Sequence, residues 1–243
     1  DTGNWWDWAN VTYATSTSGI IANLSTSAGH GLGANEISDG LGGTDTVTGL
    51  HVLRDSDHDD QIYADGSYTN SFGTFLEIRL SGGDDLADFT GSGAGTRRIS
   101  WQNAADGVDA SLVTGIATDN DLGNGDQIGT DTFINANYLR GSNFADTLTG
   151  DGNDNRFRGS GGDDLIDGGA GQDRIDHGDS TSGIVVDLSL ASGQVIDDGF
   201  GTTDTVSNID RVDGTYFDDT LTGSSDNDRL DGNHGNDTIF GGA

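Results

Sequence analysis

The chain has 243 residues, a formal net charge of -31, 41 glycines and no cysteine, proline or methionine. A chain this acidic is repelled by nucleic acid phosphates, and it contains no run of about 18 apolar residues that would span a membrane as a helix. The balance favours cations as partners, and the missing cysteines leave no disulfide framework to hold a fold together.

Its ten basic residues are all arginine, and of its 41 acidic residues only Glu36 and Glu77 are glutamate. Aspartate, unlike glutamate, folds back onto its own turn and tolerates left-handed backbone, and glycine supplies positive φ in the same places. The chain therefore reads as tight turns joining short strands, with helix disfavoured throughout. A disordered, solvating chain has a similar composition, but such a chain has no reason to keep its apolar residues on a strict period. The sequence does not begin with methionine and opens with no charged, apolar-cored leader, so it reads as processed or as a piece of something longer.

In chain order, the first feature is the aromatic cluster Trp5, Trp6 and Trp8, read as a cap on the first coil or a subunit contact, with a sugar-stacking platform as the alternative. An apolar strand follows, SGIIANL (18–24), then a polar loop and TDTVTGLHVLRDSDHDDQI (44–62). FGTFLEIRL (72–80) alternates like an ordinary strand, and SGGDDL (81–86) carries a second acidic turn. The second copy begins with DGVDASL (106–112) and runs through TDTFINANYLRGSNFADTL (130–148). From Gly141 a nine-residue period holds for four blocks, GSNFADTLT, GDGNDNRFR, GSGGDDLID and GGAGQDRID. Position six holds Asp146, Asn155, Asp164 and Asp173, and position eight Leu148, Phe157, Ile166 and Ile175. The third copy opens with SGIVVDL (182–188), continues through TDTVSNIDRVDGTYFDDTL (203–221), and has nonapeptides from Gly214 with Asp219, Asp228 and Asp237 at position six.

The organisation predicted is three copies of one unit of about 75 to 90 residues, at 1–100, 101–178 and 179–243, strung into one continuous solenoid with nonapeptide arrays at 141–176 and 214–243. Each copy runs from an apolar strand through an acidic loop and a T-D-T turn into the array, and the first copy has degenerate nonapeptides. Gly241, Gly242 and Ala243 break off inside a fresh block, which leaves an open coil edge and suggests continuation or end-to-end stacking.

These blocks resemble the nonapeptide G-G-x-G-x-D-x-U-x of RTX (repeats-in-toxin), haemolysin-type proteins, where U is a large apolar residue. The resemblance implies an all-β, right-handed parallel β-roll. Each nonapeptide would give a turn and a three-residue strand, two would complete a coil, and calcium would sit between neighbouring turns. It also implies export, unfolded, by type I secretion. Strand alternation allows one inward side chain per block, at position eight. That thin core recovers less than ordering nine residues costs, and calcium, which takes six to eight oxygens, supplies the difference.

Turns two blocks apart share an edge, so the expected pairs are Asp146 with Asp164, Asn155 with Asp173, and Asp219 with Asp237. The Asn155 site, one charge short, should be the weaker. Asp228 extends the third array. Carbonyls of Gly159, Gly161, Gly168 and Gly171 are further candidate ligands. So are the T-D-T aspartates Asp45, Asp131 and Asp204, and Asp60 and Asp85 in the first copy.

Nothing points to catalysis. His30, His51, His58, His177 and His234 show no zinc spacing, no G-x-S-x-G elbow occurs, and acid pairs such as Asp163–Asp164 and Asp218–Asp219 repeat where a glycosidase pair would occur once. The expected function is a secreted, non-enzymatic calcium-binding structural protein: a surface-layer, adhesin, matrix or filament component, extracellular or at the cell surface. Its partners would be calcium, its own copies end to end, and a surface glycan or another extracellular protein. The alternative is the non-catalytic calcium-binding module of a larger secreted protease, lipase or alginate epimerase. An ice- or carbohydrate-binding solenoid would need a flat, regularly spaced threonine or aromatic face, and the T-D-T triplets are too far apart to make one.

Overall fold

The computed structural model describes residues 10–25, 27–64, 75–91, 95–120 and 128–242. Trp5, Trp6, Trp8, Ala243 and the start of the 72–80 strand lie outside them. Among the described residues there are 24 strands and no helix, as expected of a chain built from aspartate and glycine turns. The strands are mostly three residues long, and in the parallel ladders the middle residue is typically buried between two less buried neighbours. The fold is a parallel β-roll.

The chain divides into two compact units, Asp1–Trp101 with Asp126–Ala136, and Gln102–Gly125 with Asn137–Ala243. In the first unit, Asn10–Thr12, Val52–Arg54, Leu76–Arg79 and Arg97–Ser100 stack in parallel, which aligns Leu53, Ile78 and Ile99 in the core. A second ladder of Ile21–Asn23, Gln61–Tyr63, Leu86–Asp88 and Thr130–Ile134 aligns Ala22, Ile62, Ala87 and Phe133.

In the second unit, Tyr138–Arg140, Arg156–Arg158, Arg174–Asp176, Arg211–Asp213 and Arg229–Asp231 form one ladder. Val108–Ser111, Thr147–Thr149, Leu165–Asp167 and Thr205–Ser207 form another, and Val185–Asp187, Thr220–Thr222 and Thr238–Phe240 a third. Within the 141–176 array, paired residues such as Leu148 and Ile166 are two nonapeptides apart, so two blocks complete one coil. Leu148, Phe157, Ile166, Ile175 and Leu221 are buried at position eight, whereas Ile239, on the last strand of its ladder, is 47% exposed.

Two sequence expectations change. The T-D-T triplets are not turns: Thr44–Thr46 and Thr130–Ile134 are strands, and the third triplet runs into Thr205–Ser207. Their β-branched threonines favour extended backbone. The loops after the three leading strands are also not wholly irregular. Each folds back as an antiparallel strand, Glu36–Ser38, Ile116–Asp119 or Val195–Asp197.

The three leading strands play one role. Each stacks in parallel on the first nonapeptide-type strand of its own copy, with Ile21 beside Gln61, Asp109 beside Thr147 and Val185 beside Thr220. A glycine precedes each strand because the chain passes too close to a carbonyl for a Cβ: Gly19 lies against Asp59, Gly107 against Ala145 and Gly183 against Asp218.

The basic residues are segregated. All ten arginines lie on the ladder through Val52–Arg54 in the first unit or through Arg156–Arg158 in the second. In the second unit Arg156 and Arg158 both pair with Asp176, Arg174 reaches Asp213 at 3.1 Å, and Arg211 reaches it at 2.5 Å. Burial would push the Asp176 carboxyl up, but Arg158, Arg156 and the Tyr138 hydroxyl, which donates to it over 2.7 Å, hold it well below the usual carboxylate range.

Candidate metal centre

The position-six side chains of Asp146, Asn155, Asp219 and Asp228 fold under their own turns. Oδ2 of Asp146 accepts from the Ser142 amide at 2.8 Å, Oδ2 of Asp219 from Thr215 at 2.7 Å, and Oδ2 of Asp228 from Ser224 at 2.6 Å, always four residues back. The carboxylate then occupies the space where the position-one residue would carry a Cβ. A methyl on Gly141, Gly159, Gly214 or Gly232 would collide with the carboxylate of Asp146, Asp164, Asp219 or Asp237 respectively. The opening glycine of the block is thus fixed by the acid five residues later, which links the two most regular positions of the repeat.

The same side chains join neighbouring coils. The amide of Asp146 donates to Asp164 at 2.9 Å, that of Asn155 to Asp173 at 2.8 Å, and that of Asp219 to Asp237 at 3.0 Å. All three pairs expected from the sequence are therefore brought together on adjacent coils. The row extends at both ends: the Val108 amide donates to Asp146, and the Asp164 amide to Asp204 at 3.0 Å. In the first unit an equivalent row runs from the Ile20 amide to Asp60, from Asp60 to Asp85 at 2.8 Å, and from Asp85 to Asp131 at 3.3 Å. Asp131 and Asp204 thus act as position-six residues outside any nonapeptide.

Asp45 stands apart. Its strand is an exposed antiparallel edge, where the Tyr13 hydroxyl donates to its carboxylate at 2.7 Å. Asp228 is half-buried and bonded to Ser224 of its own turn. Gly159 and Gly168 sit at position one, with their carbonyls against Gly141 and Gly150 of the preceding coil. Gly171, at position four, has φ 131 and packs on Asn153 of the coil before. In the third block the equivalent residue is Gly162, at φ 115, not Gly161, whose surroundings leave room for a side chain.

Burial is the main electrostatic cost of the rows. It pushes the carboxyls of Asp146 and Asp164 well up, and repulsion from Asp146 and Asp204 adds to the effect at Asp164. Burial likewise raises Asp204 to about 7 and Asp173 to about 6, with amides of the preceding coil opposing it. Oδ2 of both Asp164 and Asp173 is buried without a hydrogen-bond partner, an arrangement that costs free energy unless a proton or cation satisfies the oxygen. Stacked anionic oxygens beside glycine carbonyls form a hard-oxygen donor set that fits calcium.

Two acids in this setting have no counterpart in the nonapeptide pattern. Asp198, fully buried in the loop before the third T-D-T triplet, accepts the amides of Phe200, Gly201 and Thr202 and adds to the charge felt by Asp164 and Asp204. Asp55 takes the position that Gly141 and Gly214 hold in the other copies. A loop outside the repeat carries no periodic signal, so Asp198 is not legible in the sequence; Asp55 is, from the alignment of the three 19-residue segments.

The RTX calcium-binding nonapeptide repeat matches residues 131–165, 149–180 and 213–243, in four copies. No curated protein is significantly similar to the chain.

Proposed function

The chain is an RTX-type repeat protein with calcium-binding nonapeptides, and from that premise we propose that it is a secreted, non-enzymatic structural component that folds where calcium is abundant. A surface layer, adhesin, matrix or filament is the setting that suits such a component. The observation that carries the reading is the row of buried position-six carboxylates on adjacent coils, with Oδ2 of Asp164 and Asp173 unpartnered.

The side chains do three things in this scheme. Asp146, Asp219 and Asp228 order their own turns by accepting amides four residues back, acids on adjacent coils lock those coils together, and Asp164 and Asp173 leave an oxygen facing the space between turns. A cation there would supply the positive charge that lets these oxygens stay ionised at neutral pH, so that binding free energy becomes folding free energy. Without it, repulsion between adjacent acids opposes a core only one side chain deep per strand. Among the described residues no helix is long and apolar enough to cross a membrane. Exposed aromatic residues on the turns, Phe144, Tyr216 and Phe217, supply apolar contact for a neighbouring copy in calcium.

Circular dichroism during a calcium titration tests the reading. A coil-to-β transition reversed by a chelator is expected, with magnesium a poor substitute because of its smaller, stricter shell. A chain equally ordered in excess chelator would refute it. Light scattering in calcium tests self-association, for which a strictly monomeric particle is the contrary result.

A further inference from the structure

In the first unit, outside the residues matched by the nonapeptide repeat, Asp55, Asp60 and Asp85 each present a carboxylate oxygen within 4.8 Å of the other two, and all three are buried. Among the described residues this is the one set of three metal-ligating side chains so placed. Asp60 is satisfied locally by Ser56 and by the Ile20 amide. Asp55 is different: it is fully buried, its Oδ2 accepts only a long 3.3 Å bond from the Ser81 amide, and its Oδ1 has no partner. Oδ2 of Asp85 and the Ser81 hydroxyl are buried beside it with no other partner, close enough to hydrogen-bond the Asp55 carboxyl when it carries a proton, so either a proton or a cation must satisfy these oxygens. No cationic side chain among the described residues is ion-paired with any of the three.

We infer that Asp55, Asp60 and Asp85 form a three-carboxylate calcium site in the first unit, distinct in its donor set from the nonapeptide sites because an aspartate replaces their opening glycine. Oxygens bound to calcium lie about 2.3–2.6 Å from the ion, so donors on opposite sides are roughly 5 Å apart, and oxygens that all lie within 4.8 Å of one another can share one ion. The set holds only oxygen donors, which disfavours zinc, and its crowding of carboxylates leaves little space for the waters magnesium keeps. Asp55 adds a carboxylate to the backbone carbonyl that an opening glycine would also carry, so the site binds more tightly than the nonapeptide sites and fills first in a titration. The inference rests on the reading of the stacked rows as cation sites and extends it to a part of the chain where the repeat has decayed.

The probe is terbium, a luminescent calcium mimic sensitised over short range by tryptophan. The Trp101 indole N–H donates to Asp131 at 2.7 Å, and Asp131 in turn accepts from the Asp85 amide, so an ion in this site lies next to Trp101. The full chain should show a sensitised component that is abolished in Trp101→Phe and saturates at a lower terbium concentration than bulk ion uptake. Asp55→Gly restores the glycine of the other copies and so suits the turn; it should remove that component and lower the bound-ion stoichiometry by one, with β-structure at saturating calcium retained. Asp55→Asn should weaken the component at least tenfold in terbium concentration. In Asp164→Asn the Trp101 component should persist. If Asp55→Gly keeps the component with an unchanged midpoint, or if the wild-type chain folds on calcium without a Trp101-sensitised signal, the three-carboxylate site is wrong while the nonapeptide reading stands. If the chain takes up no ions at all, both fail.

Discussion

The backbone amide of Asp146 donates to Oδ1 of Asp164 over 2.9 Å, joining two turns that lie 18 residues apart in the chain. The bond fixes the height of one turn over the next, so anything that displaces the Asp164 carboxylate should loosen the whole coil.

Gly159→Ala is the sharpest way to displace it, because the new methyl would collide with Oδ2 of Asp164. Overpacking of this kind costs about 1–3 kcal/mol, which corresponds to a rise of roughly five- to 160-fold in the calcium concentration at the folding midpoint for a one-ion transition, and to the nth root of that where n ions bind together. Gly152→Ala is the control, since its Cβ would meet nothing within 4 Å and should leave the midpoint unchanged in the same titration.

Raised carboxyl pKa values in the rows predict acid-assisted folding without calcium. A group whose folded pKa lies above its unfolded value, near 3.9 for aspartate, contributes stability that is full below the unfolded value and is lost as pH rises through the folded one. Asp173 at about 6 and Asp204 at about 7 place most of that loss between about pH 4 and 7, and Asp164, also raised, carries it further up. In chelator, circular dichroism should show more β-structure at pH 4.5 than at pH 8. In calcium the midpoint concentration for folding should therefore fall with pH, while the affinity of the folded chain for the ion weakens, because protons compete for the same oxygens. A chelated chain that loses β-structure on acidification would contradict this.

Asp176→Asn should destabilise the second unit even at saturating calcium. It removes the carboxylate that neutralises the largely buried Arg156 and Arg158. Breaking one side of a buried ion pair costs about 3–5 kcal/mol. Urea unfolding in calcium would measure it, and a change confined to calcium affinity would be the contrary outcome.

Core truncation should scale with depth. Phe157 is completely buried between Leu139 and Ile175, so Phe157→Ala should cost about 3–5 kcal/mol. Ile239→Ala, at a site 47% exposed, should cost well under half of that in the same urea experiment.

Much of this architecture was legible because the nine-residue period couples the two ends of each block. Gly159 and Asp164 recur together for a steric reason, and Ile166 follows because only the middle residue of a three-residue strand turns inward. The 18-residue pairing of Asn155 with Asp173 could be read in the same way. The hairpin return strands could not, since Glu36–Ser38 and Val195–Asp197 take their conformation from the leading strand they pair with. The T-D-T triplets were misread because aspartate signals a turn in isolation, whereas in Thr130–Ile134 the flanking threonines and the neighbouring strand Leu86–Asp88 prevail. Asp45 shows the converse: identical in sequence to Asp131 and Asp204, it lies on an exposed edge because its strand pairs with a hairpin and not with a coil.

The confinement of every arginine to one ladder in each unit makes each unit electrically lopsided. One flank carries the guanidinium groups, several of them paired with carboxylates; the other carries no arginine. Each unit therefore has a transverse dipole, and a positively coated surface should adsorb it by the bare acidic flank, presenting the arginine flank outward. Arginine-directed reagents would then mark the adsorbed protein on its free side, and would mark it there alone.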